Sequence, residues 1–210
     1  MNLQSTKNRK AGAFTLIEMI GVLAVIAILA ALLIPKVFSA INDARVSSVI
    51  VGADTVKTAV IDSYGKNGRF DATNNVAIPG FSTPWSGYDT NVLMAQGLLD
   101  KPFLTKAGTY SSVQVVACVP ATTAPTGNNG AYALQGNAVV NDATGTYVVE
   151  AVVQGVAEAD AQAISQRIDG PTMSTPGATP GTPDIQGRVQ YAAPGTPGGP
   201  VEVHIYLAHR

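Results

Sequence analysis

The hydrophobic pattern is dominated by one run, Phe14 to Ile34. Eighteen of its 21 residues are apolar, the exceptions being Thr15, Glu18 and Gly21. At 1.5 Å per residue it predicts a helix of ~32 Å, the thickness of a bilayer's hydrocarbon core. Beyond Pro35 the pattern turns from continuous to striped. Val49, Ala53, Val56 and Val60 fall at i, i+4, i+7 and i+11, one apolar helix face, while Asn42, Arg45, Asp54, Lys57 and Asp62 occupy other faces. Gly65, after Tyr64, is the expected C-cap. Read as one helix, Phe14 to Tyr64 would be ~76 Å long, which calls for a sheet on its outer half and neighbours on its inner half. Pro35 removes the backbone bond to Ala31, so a kink or local melting is expected there. Ala27 and Ala31 are small enough for close helix packing in a bundle.

After Arg69 the period shortens. Residues 70–109 read as loop with one short helix around Asn91–Leu99. Tyr110–Val119 alternates and is β-branched, which predicts a strand. Ala131–Val140 and Thr146–Gln154 read as a hairpin joined by NDATG, with Gly145 suited to the turn. Val156–Ile168 predicts a short helix with Ala161, Ile164 and Ile168 inward and Gly170 at its end. Arg188–Ala192 and Val201–Leu207 make a final strand pair. Residues 170–200 hold seven Pro and seven Gly and read as two exposed loops, 170–186 and 193–200, around a strand. The expected fold class is α+β, an antiparallel sheet packed on the outer half of a long N-terminal helix.

Charge sharpens this division. Residues 1–13 carry Lys7, Arg9 and Lys10 and no acid, a balance of +3; the remainder holds ten basic and fourteen acidic side chains, a balance of -4. The positive flank predicts a cytoplasmic N-terminus, with the chain after residue 35 exported. Only 13% of residues are charged, about half the usual ~25%. Residues 70–210 contain five basic and ten acidic side chains, which is unfavourable for phosphate contact and argues against a nucleic-acid partner. A cleaved secretory signal would show a shorter apolar stretch and a small-x-small site before Pro35; neither is present. A plain single-span anchor fits the hydropathy equally well.

Glu18 separates these readings. An acid within a spanning helix costs roughly 2.5–3.5 kcal/mol at the helix centre, less near an interface. No Lys or Arg within the span can pair with it. Either it snorkels into the headgroups or it has a functional partner.

A polar basic leader, then Ala11-Gly12-Ala13, then Phe14-Thr15-Leu16-Ile17-Glu18 and the apolar helix resembles the prepilin N-terminus shared by type IV pilins and type II secretion pseudopilins. Pro35 also falls where many members have a proline. The likeness is close over residues 7–64 and general beyond. It implies cleavage between Ala13 and Phe14 by a prepilin peptidase, which then N-methylates Phe14. The family most often has Gly before the cut, so a cut after Gly12 stays open. It further implies that Glu18 meets the new amine of a neighbouring subunit and sets the register of filament assembly. The implied segments are a leader (1–13), a transmembrane and assembly helix (14–35), its amphipathic continuation (36–65) and an exported β-rich domain (66–210). Implied partners are other pilin or pseudopilin subunits, the peptidase/methyltransferase, an inner-membrane assembly platform with a separate ATPase, and the bilayer before assembly.

The remaining chemistry is sparse. Cys118 is the sole cysteine, so the intramolecular disulfide that closes a C-terminal loop in many pilins cannot form; its strand context suggests a buried small apolar residue. His204 alternates with Val203 and Ile205 and is expected to face solvent. Ser63-x-x-Lys66 matches a Ser/Lys nucleophile spacing but falls at a helix end, where solvation is expected. Asp184 and Glu202 stand apart in sequence, against the C-terminal calcium site of some secretion pseudopilins. No P-loop is present, so any assembly motor is another protein. No cofactor and no catalytic residue are expected. The leading reading is a secretion pseudopilin, the runner-up a type IV pilin for adhesion or motility, and the rival from another class a single-span anchored binding protein.

Overall fold

The computed structural model describes residues 14–70, 87–137, 139–173 and 181–210. The leader with Ala13, the start of the 70–109 region and part of the 170–186 loop lie outside these residues. The chain forms two units, 1–41 and 42–210.

Helix α1 (Leu16–Asn67) belongs to both, and Pro35 lies inside it. In the first unit, every described residue from Phe14 to Ile41 is exposed except the half-buried Ala30. In the second unit the apolar stripe does what its period requires. Val46, Val49, Ala53, Val56, Ala59, Val60 and Ser63 are buried, and each fully buried valine contributes roughly 1.5–3 kcal/mol against leaving it in water. The helix does not end at Gly65. It continues to Asn67, with Lys66 bonded to Asp62 at 2.9 Å across the extra turn. Gly68 is the cap: its φ is +67°, and its N–H donates to the Tyr64 carbonyl at 2.7 Å. That left-handed geometry is open to glycine at little cost.

Four antiparallel strands, β1 (Tyr110–Ala117), β2 (Tyr147–Ala157), β3 (Val189–Tyr191) and β4 (Pro200–His209), lie in the order β1-β2-β4-β3. One face supplies Val113, Val115, Val149, Ala151, Val153, Val203, Ile205 and Leu207 to a core shared with the α1 stripe and with Ala161 and Ile164. The last two come from α2 (Glu158–Ile168), which starts two residues later than the expected Val156 because Val156 and Ala157 still pair with β4; Ile168 at its end is partly buried against the core. Arg167 at its end reaches Asp43 of α1 at 2.5 Å. Within β2 the register against β4 shifts between Val153 and Val156. Gly155 in that bulge has φ +71°, and a Cβ there would lie 2.5 Å from the Thr109 hydroxyl, so only glycine fits without strain.

The expected hairpin of Ala131–Val140 with Thr146–Gln154 does not form. β2 already pairs with β1 on one side and β4 on the other, so no edge remains for it. The segment is instead a covering loop. Asn141 accepts from the Tyr132 N–H at 2.9 Å and donates to the Val119 carbonyl at 2.9 Å, and Ala131, Tyr132 and Ala133 are buried. The short helix expected at Asn91–Leu99 is a π-helical turn that starts earlier, at Asp89–Leu93. Buried Asp89 holds it to β1, accepting from the Phe103 N–H at 2.8 Å and the Val113 N–H at 3.4 Å. Burial pushes the Asp89 carboxyl upward, against these backbone bonds.

Candidate functional site

The start of α1 is organised by two residues. Thr15 precedes the first helical residue, and Glu18 lies three positions later. The Glu18 carboxylate accepts from the Thr15 N–H at 2.8 Å and from the Thr15 hydroxyl at 2.7 Å, while the Glu18 N–H donates back to that hydroxyl at 3.3 Å. This reciprocal arrangement is a capping box, satisfying donors that a helix start leaves unpaired. Its signal in the sequence is T-x-x-E before an apolar run. The box turns the carboxylate toward the N-terminal end of the helix, where a charge of that sign is favoured by the backbone dipoles.

Behind this box the helix surface is apolar on every side. Phe14, Leu16, Ile17, Leu23, Ile28, Leu29, Leu32 and Leu33 are all at least 60% exposed. Monomeric soluble proteins rarely leave contiguous apolar patches beyond a few hundred Å² uncovered. The helix is long and apolar enough to cross a membrane, and it has the properties of a single anchor.

Comparison with known families matches the prokaryotic N-terminal methylation motif at residues 8–34. These residues carry the type IV pilin and pseudopilin signature. The matched stretch contains Ala13, Phe14, Glu18 and the apolar helix, and it marks structural pilin-like subunits. No curated protein and no solved structure matches the chain. The long helix with an antiparallel four-stranded sheet packed against it is the pilin-like layout.

A second constellation lies in the 42–210 unit, on the sheet face opposite the main core. His204 alternates with Val203 and Ile205 as read from the sequence, but it does not face solvent. It is 3% exposed, because this face is roofed by the loop carrying Tyr132 rather than open to water. Its Nδ1 lies 3.2 Å from Glu150 and its Nε2 3.0 Å from Glu202. The second contact is at ion-pair distance with the N–H pointing off line, so Nε2 makes no true hydrogen bond. Glu150, directly opposite Gln114 in the β1–β2 register, also accepts from the Gln114 amide and the Tyr132 hydroxyl. Gln154 donates to Glu202 at 2.7 Å.

The electrostatics follow from this geometry. Burial disfavours the imidazolium, yet the charge and hydrogen bond of Glu150, with Glu202 behind them, outweigh it and raise the His204 pKa to about 9. Burial likewise opposes the Glu150 carboxylate, but His204, Tyr132 and Gln114 hold it below its ordinary value. The interaction with His204 lowers Glu202 in spite of its partial burial. The Tyr132 phenol is pushed far up by burial and by the Glu150 charge. Sequence reasoning missed Glu150, although one acid inside the valine-rich run YVVEAVV was a signal for a buried, paired charge.

Other candidates fall elsewhere. Ser63 is not solvated: it is fully buried and donates to the Gln96 side chain at 2.8 Å. Lys66 pairs with Asp62 instead, so the Ser/Lys spacing assembles no dyad. Cys118 is half-buried, packs with the Tyr132 cluster, and has its thiol pKa raised by burial, which disfavours a reactive thiolate. Asp184 accepts from the Ser165 hydroxyl at 2.6 Å, a set of partners separate from that of Glu202.

Proposed function

We propose that this chain is a structural subunit of a type II secretion pseudopilus. The observation that carries the reading is the methylation signature at residues 8–34 on a helix that leaves its apolar side chains uncovered. In this reading residues 14–35 sit in the inner membrane with the N-terminus cytoplasmic and the 66–210 domain periplasmic. Prepilin peptidase cuts between Ala13 and Phe14 and methylates the new Phe14 amine. The apolar helix then moves from lipid into a bundle with the helices of other pilin or pseudopilin subunits, an exchange between two apolar surroundings that costs little. Pro35 removes one backbone bond at the end of the span and gives the helix a place to bend on entering that bundle.

Glu18 is the assembly residue. Cleavage creates a cationic amine, and in low dielectric a carboxylate on a neighbouring subunit attracts it strongly. The assembly platform and its ATPase are separate proteins. A charge-poor exported domain and a single cysteine favour the secretion machine over a type IV pilus for adhesion or motility.

Two measurements test this. Intact mass of mature protein should show a chain starting at Phe14 and carrying one added methyl; a start at Ala13 or an intact leader overturns the processing step. Deletion of the gene should abolish secretion and spare surface pili. Lost pili with normal secretion would assign the type IV pilin, and no effect on either would assign an anchored binding protein.

A further inference from the structure

We propose that Glu158 is an acid-sensitive latch: its carboxylate holds two Pro/Gly-rich loops to each other at Gly181 and Gly198, and protonation loosens that hold. This goes beyond the filament reading and does not depend on it. Glu158 is the first residue of α2 and is 7% exposed. Its Oε1 accepts from the Gly181 N–H at 2.5 Å, and its Oε2 accepts from the Gly198 N–H at 2.7 Å. Gly181 lies in the loop before β3 and Gly198 in the loop between β3 and β4. Both carry a positive φ, +94° and +77°, a conformation that glycine adopts at no steric cost. The loops also approach each other here, since a Cβ on Gly181 would lie 3.5 Å from the Pro197 ring.

The arrangement requires the anion. A carboxylate offers acceptor sites on both oxygens, whereas protonation makes one of them a donor. The N–H on that oxygen loses its partner, and the other keeps a bond to a neutral acceptor, roughly half as strong as a charge-assisted one. Among the described residues no Lys, Arg or His pairs with Glu158, so backbone donors hold the charge. The titratable groups beside it are Tyr191 of β3 and Asp184. Burial, then the charges of Asp184 and Glu158, push the Tyr191 phenol up, so it stays neutral. Asp184 is occupied by the Ser165 hydroxyl at 2.6 Å and the Gln186 N–H at 3.3 Å. Asp160, two positions along α2, faces another way, and Glu202 lies with His204 on the opposite face of the sheet. Residues 174–180 and 192–199 hold no titratable side chain. The latch is therefore closed while Glu158 is ionised and opens as acid protonates it.

The test uses the full chain, isotope-labelled at glycine, in a non-ionic detergent, with amide resonances followed by NMR as pH is lowered. The Gly181 and Gly198 amide protons should move upfield together, through one common midpoint, while Gly155 in the sheet keeps its folded resonance. In Glu158→Gln both acid steps should vanish. The Gln side chain presents an acceptor on one side only. At neutral pH, exchange of at least one of the two glycine amides should therefore be about tenfold faster in that variant, the loss expected for a hydrogen bond to a charged group. Separate midpoints for the two glycines, no shift of either, or shifts that persist in Glu158→Gln overturn the proposal. So does loss of the folded Gly155 resonance in the same step, which would be unfolding of the sheet rather than release of the loops.

Discussion

Glu18 accepts two hydrogen bonds from Thr15, at 2.8 Å from its N–H and 2.7 Å from its hydroxyl. The residue proposed to carry the intersubunit charge is therefore also the residue that closes the start of its own helix. The two roles use different properties of one side chain, the acceptor oxygen and the negative charge, and they can be separated.

Glu18→Gln keeps the acceptor and removes the charge. It should leave the first turn capped, seen as unchanged amide protection near Glu18, yet abolish filament assembly. Thr15→Ala should do the reverse, loosening that turn by about 1 kcal/mol while filaments still form. Assembly by the Gln variant at wild-type level would leave Glu18 with capping alone.

The His204 pKa of about 9 lies above its ordinary 6.5, so folding takes up a proton between those values. Its stabilisation is complete below ~6.5 and is lost as pH rises through about 9. Glu150 and Glu202 are shifted downward, so their contribution is present above the ordinary carboxylate range and lost as acid titrates them. The unfolding midpoint should fall between pH 6.5 and 9, and this alkaline fall should vanish in His204→Gln.

Removing one member of the buried pair leaves the other without its counter-charge. Glu150→Leu should cost about 3 kcal/mol or more, measured by denaturant unfolding of the full chain in detergent. Glu202→Gln should cost less, because its side chain is 35% exposed and water can replace part of what is lost. Equal costs for the two would contradict the assignment of Glu150 as the principal partner.

On α1, Val60 is 0% exposed and Val51 is 66% exposed. Val60→Ala should destabilise by about 2 kcal/mol through lost transfer energy and a cavity. Val51→Ala should stay within about 0.5 kcal/mol in the isolated subunit. A loss at Val51 that appears only in filaments would place that residue at a subunit contact.

Gly155→Ala should cost about 1–2 kcal/mol, since the bulge needs a positive φ that alanine adopts only with strain. Thr109→Ala, which removes the hydroxyl that a Cβ at 155 would meet, should not rescue it if the backbone angle, rather than the crowding, sets the cost. Paired thermal melts of the single and double variants decide the point.

Periodicity alone set the elements whose partners are local or whose burial needs only one apolar face. The α1 stripe at Val49, Ala53, Val56 and Val60, the α2 helix, and the β3–β4 pair were all legible, because helix and strand periods place side chains by backbone geometry. The leader signature was legible too, as it is a contiguous order of residue types. What the sequence left open was which segment covers which surface. Parity put His204 opposite Val203 and Ile205, but only the roofing loop with Tyr132 and Asn141 turned that side from solvent into a buried site. The same long-range fact displaced the expected hairpin, since β2 had both edges taken by β1 and β4. Helix ends moved for a related reason: Gly68, not Gly65, met the left-handed turn, because Ser63 and its bond to Gln96 lie in tertiary contact one turn beyond the stripe. Local periods fix orientation; the charged triad arose from contacts between residues distant along the chain, which no local pattern encodes.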